Sequence, residues 1–368
     1  EEVINNNISL VFVGPEDPIV NGIYDFFKSD NSLKKIKIIA PSKLAGRLEG
    51  SKEFAKKFME RYNIPTAKHG TFTRDNIDQA YMFLDNMSSP YVLKADGLAG
   101  GKGVLIIHDL EEAKQELRSM IFDKKFGESS SKVVIEEFLD GIELSCFVLT
   151  DGNNYKILPF AKDYKKIGEA DTGLNTGGMG AISPVVFLDD VFLEKIEERV
   201  IKPTINGIMK ENMEYMGIVF IGLIKVNEDP YVIEYNVRMG DPETEVVFPR
   251  IENDLLELFN SMGSTEFANI DLIVDERHAA TVIMVSGGYP INYEKNKVIR
   301  GLENITDSIV FHAGTKKDNN VFLTNGGRVL AITSLAKNYK QAIGLSYKQI
   351  EKISFEKAYF RKDIGFDL

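Results

Sequence analysis

The feature that most constrains this chain is a glycine-rich loop between two apolar, β-branched runs, in the segment YVLKADGLAGGKGVLII at residues 91–107. Gly97, Gly100, Gly101 and Gly103 permit backbone conformations that other residues rarely adopt. They also let main-chain N–H groups come close to a bound anion. The pattern therefore predicts a hairpin whose loop is suited to phosphate.

This loop differs from a Walker A motif, which needs Gly, four residues and then Gly-Lys-Ser/Thr at the start of a helix. Asp96 stands at the position of the first glycine, and Gly103 stands at the position of the hydroxyl residue. Lys94 and Lys102 add point charges that suit phosphate. Two interpretations remain open: a hairpin that covers a nucleotide, or a flexible surface hairpin.

Composition excludes several classes of protein. The chain has 368 residues, which predicts two or three domains. Its net charge of −11 argues against nucleic acid as the main partner. The sequence has no apolar run of membrane-spanning length, so we expect no membrane partner. Cys146 is the only cysteine, which excludes internal disulfides and fits the cytoplasm.

The order of elements predicts a multidomain α/β and α+β protein. Residues 8–40 have the pattern strand, loop, helix over 18–27 and strand, which is part of a parallel α/β sheet. This part is short for a whole domain and the chain does not begin with Met, so we expect earlier strands to be missing. The predicted domains are 1–48 (partial N-terminal α/β), 49–137 (connecting helix and a small α+β unit), 138–270 (central sheet) and 271–368 (C-terminal, β-rich).

The strand YVIEYNVR predicts a cation site. Residues two apart in a strand point to the same face, so Glu234 and Asn236 should project side by side. Carboxylate and amide oxygens suit a hard cation such as Mg²⁺. Arg238 continues that face, where it suits the charge of a transferred phosphoryl group. A polar strand edge that faces solvent is the alternative.

Two further segments are candidates for binding. IEEFLDGIE at 135–143 could meet an adenine through main-chain groups and a ribose through a carboxylate, or it could be a hinge with solvated glutamates. DTGLNTGGMG at 171–180 is a tight polar loop with N–H donors for a zwitterion or a phosphate, and a plain surface turn is the alternative.

Eight motifs, in order along nearly the whole chain, resemble the glycinamide ribonucleotide synthetase (phosphoribosylamine–glycine ligase) family of the ATP-grasp superfamily. They are EGSK (49–52), KADGLAGGKGV (94–104), IEEFLDGIE (135–143), DTGLNTGGMGA (171–181), VIEYNVRMGDPETE (232–245), VFHAGT (310–315), TNGGRVL (324–330) and RKDIGF (361–366). The resemblance implies an ATP-grasp fold with a partial N-terminal Rossmann-like domain, a lid within 49–137 and a small C-terminal β-rich domain.

The resemblance also implies roles for individual residues. The residues implied for ATP are Lys52 and Lys94 at the phosphates, Gly100, Gly101, Lys102 and Gly103 in the lid loop, Glu136, Phe138 and Leu139 near the adenine, and Glu143 at the ribose. Glu234 and Asn236 are implied ligands of Mg²⁺ or Mn²⁺. The residues implied for the substrates are Gly14, Pro15, Glu16, Asp171, Thr172, Asn175, Thr176, Gly177, Gly178, Met179 and Arg238, of which Arg238, Asp171 and Asn175 are the catalytic candidates.

The implied reaction joins glycine to 5-phosphoribosylamine with ATP, in purine biosynthesis, and a monomer is expected. Two alternatives remain: another ATP-grasp carboxylate–amine ligase that uses formate or bicarbonate, or a nucleotide-binding protein without turnover. The family begins with a strand and a glycine-rich turn of the GGREHA type that helps to bind the substrate phosphate. This sequence starts after that turn, so we expect it to lack part of the phosphoribosylamine site.

Overall fold

The computed structural model describes residues 1–99 and 103–368. Within these residues the chain forms two compact units. Unit 1 contains Glu1–Ile157, Leu188–Met239 and Leu256–Ile270, and unit 2 contains Leu158–Phe187, Gly240–Leu255 and Asp271–Leu368. The division into four domains stays a prediction.

Unit 1 begins with the predicted parallel pair of strands, Leu10–Phe12 and Lys37–Ile39. The prediction of a single helix over residues 18–27 is wrong. Two short helices take its place, Glu16–Val20 and Ile23–Ser29. They are separated at Gly22, whose φ of +92° lies in the left-handed region that favours glycine and ends a right-handed helix.

Two consecutive helices then lead to the rest of unit 1. They span Lys43–Gly50 and Lys52–Arg61, and a short helix, Glu2–Asn5, opens the chain. Ser42 caps the first of the two by accepting from the Ala45 N–H, and Ser51 caps the second by accepting from the Phe54 N–H. The second helix matches the connecting helix predicted within residues 49–137.

A four-stranded antiparallel sheet, here called the small sheet, follows. Its strands lie in the order His69–Thr73, Lys132–Glu137, Tyr91–Ala95 and Val104–Ile107. Helices Ile77–Asp85 and Leu110–Phe122 pack on it. Asp109 caps the longer helix by accepting from the Glu112 N–H, and the helix buries an apolar stripe against the sheet.

The central sheet of unit 1 is also antiparallel. Its strands lie in the order Asp229–Asn236, Gly217–Val226, Ile142–Thr150 and Tyr155–Ile157. The helices of this part span Asp190–Ile196, Lys202–Lys210, Leu255–Ser261 and Thr265–Asn269, and a π-helical segment at 197–201 joins the first two. A bulge at Ile233 shifts the register, so that Val232 pairs with Leu223 and Glu234 pairs with Gly222.

Unit 2 is built on a five-stranded sheet. Its strands lie in the order Ile309–His312, Arg328–Ala336, His278–Val285, Gly180–Ser183 and Lys162–Asp163. Helix Tyr339–Ile350 packs on the two longest strands and closes the core of the unit. The sheet of the predicted β-rich C-terminal part therefore also includes two strands that come much earlier in the chain.

Smaller elements complete unit 2. A hairpin joins Lys166–Gly168 to Thr172–Asn175, a three-stranded sheet contains Val298–Ile299, Val321–Thr324 and Thr315–Asp318, and a short helix spans Thr244–Val247. Among the helices of residues 1–99 and 103–368, none combines the length and the hydrophobicity that crossing a membrane requires.

Candidate functional site

The last strand of the central sheet places Glu234 and Asn236 as predicted. Tyr235, between them, is buried on the opposite side, and its hydroxyl is hydrogen-bonded to the hydroxyl of Thr204 at 2.7 Å. Glu234 and Asn236 are half-buried on the other face. A carboxylate and an amide oxygen are the hard donors that Mg²⁺ prefers. The described residues contain no group of three or more His, Cys, Asp or Glu side chains arranged for a metal.

Beside this strand, two residues of the small sheet and one residue of helix Lys52–Arg61 form a buried ion triad. The Lys94 Nζ lies 2.9 Å from the Glu136 Oε2, and the Lys56 Nζ lies 3.0 Å from the same oxygen. All three side chains are almost fully buried. Charges that are withdrawn from water need such partners. The pairing of Lys94 with Glu136 joins two residues that were predicted for the nucleotide, whereas Lys56 was missed.

The pKa values of the triad follow from burial and from charge. Burial lowers the pKa of Lys56 to about 8, with Glu136 opposing this effect and Lys94 adding to it. Burial opposes the charge on Lys94 as well, but Glu136 and Glu234 outweigh it and raise the pKa of Lys94. Burial would raise the pKa of Glu136, and the two lysines hold it below its usual value. Glu143 also raises the pKa of Lys94, so carboxylates of the small sheet and of the central sheet act on this one ammonium group.

One oxygen of the triad has no hydrogen-bond partner among residues 1–99 and 103–368. The Glu136 Oε1 is buried and accepts no hydrogen bond within the described protein atoms. A buried, unpaired carboxylate oxygen costs free energy unless a donor reaches it. The amino group of an adenine is such a donor, which fits the predicted role. Phe138, just beyond, is exposed, and Leu139 is half-buried.

Arg238 is held by two carboxylates. Its Nη2 lies 3.0 Å from the Glu49 Oε1, and its Nε lies 3.4 Å from the Glu16 Oε2. Glu49 was missed by the sequence reasoning, and its Oε2 also accepts from the Val237 N–H at 2.7 Å. Burial raises the pKa of Glu49 to about 7, although Arg238 and the Val237 N–H favour its charged form. The predicted substrate residues Glu16 and Arg238 are thus in contact, and Gly14 and Pro15 lie just before Glu16.

The predicted lid loop is anchored at its first half. Asp96 accepts from the Glu53 N–H at 2.7 Å and from the Ser51 hydroxyl, and its carbonyl accepts from the Lys52 N–H at 3.1 Å. Lys52 therefore begins its helix beside the loop. The Gly103 carbonyl accepts from the Ala95 N–H at 2.8 Å where the loop ends. The predicted contacts at Gly100, Gly101 and Lys102 lie outside the described residues.

In unit 2, the hairpin strand Thr172–Asn175 is fully exposed, which leaves Thr172 and Asn175 accessible. Asp171, just before it, has an Oδ1 that accepts from the Nη1 of Arg361 at 2.6 Å. The Arg361 side chain is completely buried and also pairs with Asp363. Asp171 therefore fastens the base of this loop, and at least one of its oxygens is engaged in doing so.

The second half of the loop is packed tightly. The Gly177 carbonyl accepts from Arg328 at 2.7 Å, and the same guanidinium donates to the carbonyl and the carboxylate of Asp241. Gly178 has a φ of +115°, a conformation that favours glycine, and its N–H donates to the Thr176 hydroxyl. Met179 was predicted to face the substrate, but its side chain is fully buried in the core of the unit.

Four charged residues were missed: Lys56, Glu49, Arg328 and Arg361. The last three lie in motifs quoted above (EGSK, TNGGRVL and RKDIGF), so their sequence positions were a signal. The position of Lys56 gave no such signal, because a lysine on an amphipathic helix normally lies on the solvated face.

Comparisons with known proteins cover almost the whole chain. Three family models match in succession: the phosphoribosylglycinamide synthetase N domain at residues 1–49, its ATP-grasp (A) domain at 50–244 and its C domain at 279–367. The phosphoribosylamine–glycine ligase of Fusobacterium nucleatum is 44% identical, over 98% of this chain and 84% of that protein. The enzyme of the same name from Caldanaerobacter subterraneus is 43% identical, over 99% of this chain and 86% of that protein.

Solved structures agree. The phosphoribosylamine–glycine ligase of Thermotoga maritima superposes with a TM-score of 0.81 at 36% identity, covering 92% of this chain and 83% of that one. A biotin carboxylase–β,γ-ATP complex from Campylobacter jejuni superposes with a TM-score of 0.73 at 16% identity, over 97% of this chain and 78% of that one, which shows a shared fold alone. The predicted fold class is confirmed, and the chain belongs to the phosphoribosylglycinamide synthetase family, with its ATP-grasp fold.

Proposed function

We propose that this protein is a phosphoribosylamine–glycine ligase. It joins glycine to 5-phosphoribosylamine with ATP and gives glycinamide ribonucleotide, ADP and phosphate, in purine biosynthesis. The observation that carries the proposal is the match to the N, ATP-grasp and C domains in order, with relatives of that name at 43–44% identity over nearly the whole chain.

The chemistry begins with activation of a carboxylate, which is a poor acyl donor. A carboxylate oxygen of glycine attacks the γ-phosphorus of ATP, the bond to the β,γ-bridging oxygen breaks, and ADP leaves. The amine nitrogen of 5-phosphoribosylamine then attacks the carbonyl carbon of glycyl phosphate. Inorganic phosphate leaves with one oxygen of the original carboxylate, and the amine loses a proton. Positioning and charge neutralisation carry such a reaction, and no side-chain nucleophile is required.

Unit 1 supplies the residues that we assign to ATP. Lys94 is a buried cation with a raised pKa, so it stays charged and can neutralise phosphate oxygens. Glu136 offers its unpaired oxygen to the adenine amino group. The other assignments are Lys52 and the loop residues Gly100, Gly101, Lys102 and Gly103 at the phosphates, Phe138 and Leu139 at the adenine, and Glu143 at the ribose.

Glu234 and Asn236 would hold Mg²⁺ or Mn²⁺, because a carboxylate and an amide on one face of a strand are the donors that these ions take. When bound, the ion neutralises charge on the phosphates of the nucleotide. The Glu234 carboxylate contributes to raising the pKa of Lys94, which supports placing the proposed phosphate cation near the proposed metal ligand.

Glycine and 5-phosphoribosylamine are assigned to two sets of residues. In unit 1, Arg238 is held in place by Glu16 and Glu49, and its guanidinium suits an anionic group. In unit 2, the exposed strand at 172–175 and the glycines that follow offer polar side chains and N–H donors. The residues assigned there are Asp171, Thr172, Asn175, Thr176, Gly177, Gly178 and, through its backbone, Met179, with Gly14 and Pro15 added in unit 1.

We also propose the division into domains at residues 48, 137 and 270, a monomer, and the cytoplasm as the compartment. The sequence shows no coiled-coil heptad pattern, which supports the monomer. A single, buried cysteine fits a reducing compartment.

Substrate competition tests this function. The protein is incubated with Mg-ATP and 5-phosphoribosylamine, together with glycine, formate or bicarbonate, and both ADP release and product mass are measured. We expect ADP and a product of the mass of glycinamide ribonucleotide with glycine alone. Turnover with formate or bicarbonate would indicate a different ATP-grasp ligase. Binding of ATP without product in any mixture would indicate a protein without turnover.

A further inference from the structure

Lys56 is a buried cation to which the proposed function assigns no role. It lies on helix Lys52–Arg61, and only 2% of its side chain is exposed. Its neighbour Lys57 is 59% exposed and pairs with Glu53 on the same helix. Burying an ammonium group is costly unless its partners are well placed, so the contacts of Lys56 show what it does.

Those contacts connect two parts of unit 1. The Lys56 Nζ lies 3.0 Å from the Glu136 Oε2 of the small sheet and donates to the Thr66 Oγ1 at 2.7 Å. The Thr66 hydroxyl donates in turn to the Val232 carbonyl at 2.6 Å. The Val232 N–H donates to the Pro65 carbonyl at 2.8 Å, so the segment before the small sheet is fixed to the strand Asp229–Asn236.

The contacts form one continuous path. It runs from Lys94 through Glu136, Lys56 and Thr66 to Val232, two residues before Glu234. Every link is a hydrogen bond or an ion pair within unit 1. By occupying the Oε2 of Glu136, the two lysines fix the carboxylate and leave its Oε1 as the buried acceptor.

We propose that Lys56 is a positioning residue for the nucleotide: it holds Glu136, and through it Lys94, at a set place relative to the strand that carries Glu234. The proposal rests on the proposed function, which assigns the nucleotide to Lys94 and Glu136. Lys56 itself touches neither substrate nor metal in this account. Its effect is to fix the side chains that do.

The test compares affinities for Mg-ATP by calorimetry at a temperature well below unfolding. Lys56→Met keeps the aliphatic stem and removes the ammonium, and Lys57→Met is the matched control on the same helix. Thr66→Val removes only the hydroxyl, and Thr66→Ser keeps it. We expect the Kd for Mg-ATP to rise about tenfold in Lys56→Met, the size of one charged hydrogen bond. A smaller rise is expected in Thr66→Val, and none is expected in the two controls.

A merely structural role predicts something different: a lower melting temperature in Lys56→Met with an unchanged Kd, and this result would overturn the proposal. If Lys56→Met does not fold, the threonine pair decides, and equal Kd values for Thr66→Val and Thr66→Ser would equally overturn it. A wild-type protein that binds Mg-ATP and forms no glycinamide ribonucleotide would instead contradict the proposed function, and the Kd comparison would still decide the role of Lys56.

Discussion

The buried carboxyl group of Glu49 makes a prediction about stability and pH. Its side chain is 6% exposed, and it is hydrogen-bonded to the Val237 N–H and paired with Arg238. Burial nevertheless raises its pKa from 4.5 to about 7. The folded protein therefore keeps this proton at pH values where the unfolded chain has lost it. Between pH 4.5 and 7 the folded state binds more protons, so its stability falls as the pH rises.

The size of the effect follows from the same two values. One pKa unit corresponds to about 1.4 kcal/mol, so the group lowers the free energy of unfolding by about 3 kcal/mol between pH 4.5 and 7. Glu49→Gln cannot titrate, and its amide still offers an oxygen to the Val237 N–H. We therefore expect Glu49→Gln to gain about 3 kcal/mol relative to wild type over this range, with no further change above pH 7.

Urea unfolding at several pH values measures this difference in the free energy of unfolding. Hydrogen exchange of the peptide that covers helix Lys43–Gly50 reports the local unfolding around Glu49. A local probe is needed because a chain with two compact units need not unfold in a single transition. Glu228→Gln, at an exposed turn of the same unit, is the control and should show no such gain. If the wild-type and Glu49→Gln curves stay parallel from pH 4.5 to 7, the pairing with Arg238 outweighs burial and the reasoning is wrong.

Four further substitutions give equally direct tests. Glu234→Ala should raise the Kd for Mg-ATP at least about tenfold in calorimetry, because it removes the proposed charged metal ligand; an unchanged Kd would refute the metal assignment. Glu136→Gln leaves two buried lysines without their shared carboxylate and should lower the free energy of unfolding in urea by about 4 kcal/mol. Glu137→Gln is the control, and an equal loss of stability in the two variants would argue against the triad. Gly344→Ala, at an exposed position inside a helix with free space around a Cβ, should raise the melting temperature by an amount worth about 1 kcal/mol. Gly178→Ala should lower it, since its φ is +115° and a Cβ would lie 2.3 Å from a proline ring; the opposite order would contradict the backbone assignment.

Local patterns predicted the elements that local physics determines. The side-by-side placement of Glu234 and Asn236 follows from the two-residue period of a strand, and it survives because the bulge at Ile233 lies before both. Helix Leu110–Phe122 has an aspartate cap and a regular apolar stripe, so both its first residue and its buried face can be predicted from the sequence.

Features that depend on distant residues were not predictable. Lys56 and Lys57 are adjacent and chemically identical, yet Lys56 is buried and Lys57 is exposed. The difference arises because Lys56 pairs with the carboxylate of Glu136, 80 residues later in the chain. Ala181 pairs with Thr281, so a strand from the middle of the chain joins the sheet near its end. Such pairings follow from tertiary packing, which local propensity does not contain.

The most direct test of the account follows one oxygen atom. Glycine labelled with ¹⁸O in its carboxylate is supplied with Mg-ATP and 5-phosphoribosylamine, and the inorganic phosphate is analysed by mass spectrometry. Activation of the glycine carboxylate by the γ-phosphoryl group predicts one ¹⁸O atom in each phosphate formed. Phosphate without label, released together with glycinamide ribonucleotide or with no product at all, would contradict it.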